Sequence, residues 1–287
     1  MSAPSILVVD DDRSTRHLIR AILTAAGYRT AMARDGVDAL RILRTRRFNL
    51  ALLDVWMPRL TGLDLLERLQ ARKTRPRIVI MTSDDAPETL LKAVRRQAFT
   101  ILPKPVEPAV LLEAVKEALT GPEPPPIEVI SARPEWVELV VPCTREAAER
   151  LQAVMARLDT SLPKALEERI AYAFRELLLN AIEWGGKLDP SRKVRIACLR
   201  SDRLLMYRIA DPGQGFDIAK LPHAAVGQPA NVPIAHVHVR EKQGLRPGGF
   251  GLLTVRGSVD ELIYNEKRNE VVFVTYLDGK DARGQNA

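Results

Sequence analysis

Five side chains in the N-terminal part of the chain have the types and spacing for phosphoryl chemistry. Asp10 and Asp11 stand in ILVVDDD, Asp54 in LALLDVWMP, Thr82 in IVIMTSD and Lys104 in LPKP, each just past a short apolar run. Such runs predict strands, so each of these groups is expected at a strand's carboxyl end. In an open parallel sheet those ends converge on one crevice, where ligands bind. Three carboxylates, a hydroxyl and a cation gathered there would hold a hard metal ion and a phosphoryl group. Mg²⁺ takes oxygen ligands, and the candidates are Asp10 or Asp11, Asp54 and the backbone carbonyl of Trp56. An Asp54 oxygen is the expected nucleophile, with Lys104 pairing with phosphoryl charge. Thr82 would hydrogen-bond to a phosphoryl oxygen once the aspartate is modified, and the movement of its loop would be a switch.

A second group lies in the C-terminal half. In RELLLNAIEWGG, Glu176 and Asn180 are four apart and share one face of a helix. A carboxylate and an amide so placed suit a base that polarises a hydroxyl or water beside a Mg²⁺ ligand. In ADPGQGFD, Asp211 ends an apolar run, and Gly213 and Gly215 permit tight turns against a flat ligand. A carboxylate there can accept a hydrogen bond from an exocyclic amine such as that of adenine. In RPGGFGLLTVRG, Gly248, Gly249 and Gly251 precede a helical stretch, and backbone amides at such a turn form an anion site.

The elements that must position the first group alternate regularly. Strands are expected near 6–10, 29–33, 49–54, 77–82 and 99–103. Apolar residues at three- and four-residue spacing predict helices over 14–26, 36–46, 61–73, 86–97 and 108–119. This βα rhythm predicts a doubly wound, flavodoxin-like (βα)5 domain with a parallel sheet over residues 1–119. Residues 120–126 read TGPEPPP and form an extended, stiff linker. Beyond it the rhythm changes. A strand over 136–142, a helix over 144–158 and a longer helix over 163–185 precede strands near 193–200, 203–211 and 270–277. Helices followed by antiparallel strands predict an α/β sandwich over 127–277. Residues 212–250 are rich in Gly, Pro, His and Gln without periodicity, as a functional loop would be, and 278–287 are expected to be a disordered tail.

Composition narrows the remaining possibilities. Hydrophobic residues make up 46% of the 287 and charged residues 28%, ordinary for a globular chain of two domains. The net charge of +7 is concentrated in residues 1–119, with 20 Lys/Arg against 14 Asp/Glu. No helix-turn-helix pattern, zinc finger or aromatic-basic ribbon accompanies it, so direct DNA binding is not expected and the arginines read as solvated helix faces. No run approaches the roughly 18 apolar residues of a membrane span. The N-terminus lacks a basic start and a cleavage site, and a cytoplasmic location is expected. Cys143 and Cys198 have no metal-ligand spacing and read as reduced apolar residues.

The acid pair, DVWMP with Gly62 four residues after Pro58, the Thr82 position and the Lys104-Pro105 dipeptide together resemble the response-regulator receiver domain over residues 5–119. The resemblance implies phosphorylation of Asp54 by a cognate sensor histidine kinase. It departs at one place. Many receivers carry an aromatic residue three positions before the lysine, where this chain has Ile101, with Phe99 nearby. The departure bears on how the signal leaves the domain.

The three C-terminal motifs, in order and spacing, resemble the N, G1 and G2 boxes of the GHKL (Bergerat-fold) ATPases over about residues 130–277. On that resemblance Glu176 is the base, Asn180 the Mg²⁺ ligand, Asp211 the adenine reader and 216–247 the ATP lid. Of four histidines, His17 is on the first helix and His223, His236 and His238 fall in that lid, and the linker leaves no room for a dimerisation domain. NAIEWG and PGGFGL look most like the anti-sigma-factor serine/threonine kinases, with Trp184 where many of those carry histidine. The resemblance implies ATP and Mg²⁺ as cofactors and an anti-sigma-antagonist protein and/or a sigma factor as partner, with a homodimer also compatible. Two other outputs stay open: an ATP-gated switch that sequesters a partner without catalysis, and a histidine-kinase-like domain acting on a histidine in trans.

Overall fold

The computed structural model describes residues 3–70, 74–84, 86–133, 135–158, 162–216 and 251–277. Gly248, Gly249, the lid apart from Phe216, its three histidines and the tail 278–287 lie outside the described residues. The chain divides into two compact units, residues 1–124 and 125–287.

The first unit alternates β1 (Ser5–Val9), α1 (Arg13–Ala25), β2 (Arg29–Ala33), α2 (Gly36–Thr45), β3 (Leu50–Asp54), α3 (Gly62–Gln70), β4 (Arg77–Thr82), α4 (Pro87–Arg95), β5 (Thr100–Pro103) and α5 (Pro108–Thr120). The sheet is parallel throughout, in the order β2-β1-β3-β4-β5. Both faces are covered, which is why its central strands read as unbroken apolar runs. Leu7, Val9, Ala51, Leu53, Ile78 and Ile80 join the core that includes Leu43, Leu65, Leu66 and Leu69 of α2 and α3. Their neighbours Ile6, Val8, Leu50, Leu52, Val79 and Met81 join Ile19, Leu23, Leu111 and Val115 of α1 and α5 on the other face. Ile101 packs on the first of these cores and Phe99 on the second. Asp12 and Asp35 cap α1 and α2, accepting from the Thr15 amide at 2.6 Å and from the Val37 and Asp38 amides at 2.9 Å. The order places β1 beside β3, where connections depart in opposite directions and a crevice opens at the carboxyl ends.

The second unit contains β6 (Glu128–Ala132), β7 (Trp136–Pro142), α6 (Arg145–Leu158), α7 (Lys164–Asn180), a π-helical turn (Ala181–Gly185), β8 (Lys193–Arg200), β9 (Leu204–Ala210), α8 (Gly251–Ser258), β10 (Glu261–Tyr264) and β11 (Glu270–Tyr276). Its sheet is antiparallel in the order β10-β11-β9-β8-β7-β6. Alternate residues point to the helices: Val137, Leu139 and Val141, then Val194 and Ile196, then Leu205, Tyr207 and Ile209 are buried. Phe174 of α7 meets Tyr207 at 5.1 Å between ring centroids, and Tyr207 stacks on Phe273 at 5.0 Å.

Two features differ from the sequence-based expectation. The edge strands β6 and β10 were not predicted. Both are short, and β6 has a register shift between Val129 and Ser131 that breaks the two-residue alternation. The helix expected over 163–185 is α-helical only to Asn180. After that the Gly186 amide bonds to the Ala181 carbonyl, five residues back, at 2.8 Å.

Candidate functional site

In the first unit Asp10, Asp54, Thr82 and Lys104 come together at the carboxyl edge of the sheet. Asp10 is fully buried, Asp54 is 6% exposed and Thr82 is buried, whereas Asp11 is exposed. The Lys104 ammonium lies 2.7 Å from Asp10 Oδ2 and 2.9 Å from Asp54 Oδ1. The Lys104-Pro105 peptide is cis, and the Lys104 amide donates to the Thr82 carbonyl at 2.9 Å. Asp10 is held by the Asp12 amide, which donates to its Oδ1 at 2.9 Å, and its carbonyl accepts from Arg16 at 2.6 Å.

Burial pushes the Asp54 carboxyl up; Lys104 pulls it back, Asp10 and Asp11 push it up again, and the net shift is upward. Burial works against the charge on Lys104 too, but its hydrogen bonds to Asp10 and Asp54 outweigh that and its pKa is raised. Carboxylate oxygens of Asp10, Asp11 and Asp54 all lie within 4.8 Å of one another. Three hard, anionic oxygens at that separation fit a Mg²⁺ ion that keeps part of its water shell.

The loops around Asp54 are tied down. The Gly62 amide donates to the Val55 carbonyl at 2.9 Å, and Gly62 passes so close that a Cβ there would sit 1.9 Å from the Asp54 carbonyl oxygen. Arg59, at φ 67°, reaches back to the buried Asp35 at the start of α2. Trp56, two residues past Asp54 and 59% exposed, donates its indole N–H to Asp84 Oδ2 at 3.0 Å. The same oxygen accepts from Thr89 of α4 at 2.7 Å, and the Asp84 amide donates to Thr82 Oγ1 at 3.0 Å. Asp84 therefore links the hydroxyl of Thr82, the loop after Asp54 and the first turn of α4. No sequence signal marked it.

In the second unit Glu176 and Asn180 are half-buried on α7. Gly251, the first residue of α8, lies directly against Glu176: a Cβ on it would meet the carboxylate oxygen Oε2 at 2.3 Å. The amino end of α8 is thereby brought to Glu176 across a long sequence separation. At the other end of this stretch, Gly185 of the π-helical turn abuts Asp211, whose Oδ1 would be 2.2 Å from an added Cβ.

Asp211 follows β9 and begins a tight turn. Its Oδ1 accepts from the Gly213 amide at 2.7 Å. Gly215 has φ 80°, and its Cα passes over the Lys267 carbonyl so closely that a Cβ would lie 1.5 Å from that oxygen, so only glycine is accommodated. Burial pushes the Asp211 carboxyl up, partly countered by the Gly213 amide and the Arg192 charge. Arg192 donates to the Pro212 carbonyl at 2.6 Å. On the opposite side the Asn269 carboxamide donates to the Asp211 and Gly213 carbonyls at 3.4 and 3.3 Å. Glu183, in the π-helical turn, pairs with Arg145 at 3.3 Å. Arg192 and Asn269 carry no local motif and were not anticipated.

Comparison with known proteins agrees with this division. Residues 6–116 match the family described as the response regulator receiver domain, and residues 141–275 match the histidine kinase-like ATPase domain. The DNA-binding response regulator MtrA of Mycolicibacterium smegmatis is 31% identical over 181 residues, 63% of this chain and 78% of that protein. The response regulator MprA of Mycobacterium sp. strain KMS is 36% identical over 119 residues, 42% of this chain and 52% of that one. A CheY-like receiver domain from Methanospirillum hungatei superimposes with a TM-score of 0.40 at 31% identity, covering 41% of this chain and 94% of that structure. Among the described residues no helix is long and apolar enough to cross a membrane.

Proposed function

Because the chain belongs to the response regulators, joining a receiver domain to a histidine kinase-like ATPase domain, we propose that phosphorylation of Asp54 controls an ATP-dependent serine/threonine protein kinase of the anti-sigma-factor type. In the receiver, an Asp54 oxygen forms the bond to phosphorus as the bond from phosphorus to the donor nitrogen of a cognate histidine kinase breaks, that nitrogen keeping the electron pair. Lys104, already 2.9 Å from Asp54, holds the added negative charge. Thr82 turns its hydroxyl from the Asp84 amide to a phosphoryl oxygen. Asp10, Asp11, Asp54 and the Trp56 carbonyl would hold Mg²⁺, which would supply positive charge against the oxygens of the incoming group.

In the second domain Asp211 reads the adenine 6-amino group, Gly213 and Gly215 line the base, and the amino end of α8 from Gly251, with Gly248 and Gly249 before it, receives phosphate oxygens. Asn180 would be the protein ligand of the nucleotide's Mg²⁺. Glu176 takes the proton of a partner's serine or threonine hydroxyl. The hydroxyl oxygen then bonds to the γ-phosphorus while the bond from that phosphorus to the β–γ bridging oxygen breaks and ADP keeps the pair. The observation that carries this reading is the packing of Gly251 on the carboxylate of Glu176, which puts a candidate base at the helix end suited to phosphates.

The test is transfer of label from γ-labelled Mg-ATP to a panel of small anti-sigma-antagonist proteins, with Glu176→Ala as control. An acid-stable label on one partner, lost in the variant, supports the kinase. An acid-labile label instead assigns transfer to histidine. No label despite ATP binding and a stable partner complex leaves a nucleotide-gated binding switch in its place.

A further inference from the structure

The turn that carries Asp211 is gripped from both sides by side chains that no nucleotide-binding motif includes. Arg192, in the segment just before β8, spans from one side with its guanidinium 2.6 Å from the Pro212 carbonyl. Its own carbonyl accepts from the Cys143 amide at 2.9 Å, so its backbone is anchored to the end of β7. From the other side comes the tip of the β10–β11 hairpin. There Asn265 Oδ1 accepts from the Asn269 amide at 3.1 Å, and Asn265 Nδ2 donates to Asn269 Oδ1 at 2.9 Å. This fixes the Asn269 carboxamide so that its N–H groups face the Asp211 and Gly213 carbonyls. The Asp211 amide in turn donates to the Asn269 carbonyl at 2.9 Å. Three consecutive carbonyls, those of Asp211, Pro212 and Gly213, thus accept from two outside side chains.

The consequence falls on one oxygen. Asp211 Oδ1 already accepts from the Gly213 amide at 2.7 Å, and among the described residues no hydrogen bond reaches Oδ2, which makes it the oxygen with more capacity left for a ligand. Its direction depends on the position of the turn, because the carboxylate rotates with the backbone that Gly213 ties it to. Resting on the assignment of Asp211 as adenine reader, we infer that Arg192 and Asn269 are positioning residues that aim Asp211 Oδ2 and thereby set the preference for a 6-amino purine. The cationic guanidinium also opposes the effect of burial on the Asp211 carboxyl and favours its charged, accepting form.

The experiment compares two nucleotides on the full chain by calorimetric titration with Mg²⁺: ATP, and purine riboside triphosphate, which has hydrogen in place of the 6-amino group. A hydrogen bond to a charged carboxylate is worth about tenfold or more in affinity, so the unmodified protein should prefer ATP by about that factor. Arg192→Met should bring the ratio close to one, mainly by weakening ATP, while the analogue, held through its phosphates, changes by less than about twofold. Arg192→Lys, which keeps a cation and a donor, should restore most of the preference. A purely structural role would weaken both nucleotides alike and leave the ratio intact, and that result overturns the inference. Should Arg192→Met not fold, Asn269→Ala tests the same turn from the hairpin side, and an unchanged ratio there overturns it equally. If the unmodified protein itself shows no preference between the two nucleotides, the adenine-reading role of Asp211 is wrong, and the inference falls with it.

Discussion

Replacing Lys104 by methionine removes the ammonium that bridges the two buried acids of the receiver while keeping an unbranched apolar stem. The ammonium is 2.7 Å from Asp10 and 2.9 Å from Asp54, and neither acid is appreciably exposed. Taking away one partner of a buried ion pair costs about 3–5 kcal/mol, because the other is left charged and uncompensated. Lys104 retains 21% side-chain exposure, which places the effect at the lower end, about 3 kcal/mol, or a fall of about 10 °C in the Tm of a unit this size. The sign with pH follows from the direction of each shift. Lys104 has a raised pKa in the fold, so its contribution is complete below its unfolded value of 10.5 and is lost only as the pH climbs through the higher folded value. Asp54 also has a raised pKa. It favours the fold below its unfolded value of 3.8, and that favour is lost as the pH rises through the folded value. In Lys104→Met, Asp54 moves further up, so the deficit should be full at neutral pH, smaller at acid pH, and smaller again with excess MgCl₂. Differential scanning calorimetry of the full chain in chelator, at both pH values and then with Mg²⁺, measures each of these; the receiver transition is the one that Mg²⁺ moves. A Tm within about 2 °C of the unmodified protein, or a deficit that neither acid nor Mg²⁺ diminishes, would refute the reasoning.

Three further outcomes are expected. Gly251→Ala places a Cβ 2.3 Å from the Glu176 carboxylate; the end of that side chain can move aside, so calorimetry should show little change in Tm while ATP turnover falls by about tenfold or more. Gly62→Ala meets the Asp54 backbone carbonyl at 1.9 Å, which cannot yield, and urea unfolding should show a loss of about 2 kcal/mol or more together with loss of labelling from acetyl phosphate. Asp211→Asn should raise the Tm of the second unit at neutral pH. Burial has raised the Asp211 pKa, so this acid favours the fold below 3.8 and loses that favour as the pH rises through its folded value; the gain should vanish in an acid melt, and ATP affinity should drop at every pH.

Asp54, Thr82 and Lys104 each follow an apolar run, and the structure places them at the carboxyl ends of β3, β4 and β5 with Asp10 beside them. That much was legible because a parallel strand buried on both faces has to be continuously apolar and has to stop where polar chemistry begins. The (βα)5 alternation then admits one crevice. In the second unit the helical spacing of Glu176 and Asn180, and the glycines around Asp211, were equally visible, since both are set by residues within a turn or two of each other. The edge strands β6 and β10 were not, because four or five residues with an interrupted alternation carry too little signal.

What only the tertiary structure decided is how distant segments meet. The π-helical turn that carries Gly185 to Asp211, the seating of Gly251 on Glu176, and the grip of Arg192 and Asn269 on the Asp211 turn join residues far apart in sequence; Asn269 and Asp211 are 58 residues apart. So does the Asp84 link from Thr82 to Trp56 and α4, in a chain whose usual aromatic position holds Ile101, partly buried and packed against the core. Such contacts depend on strand register and on which helix end faces which strand. Local composition and periodicity carry the ends of elements and the faces they bury, but the partner across a loop is chosen by packing of the whole domain.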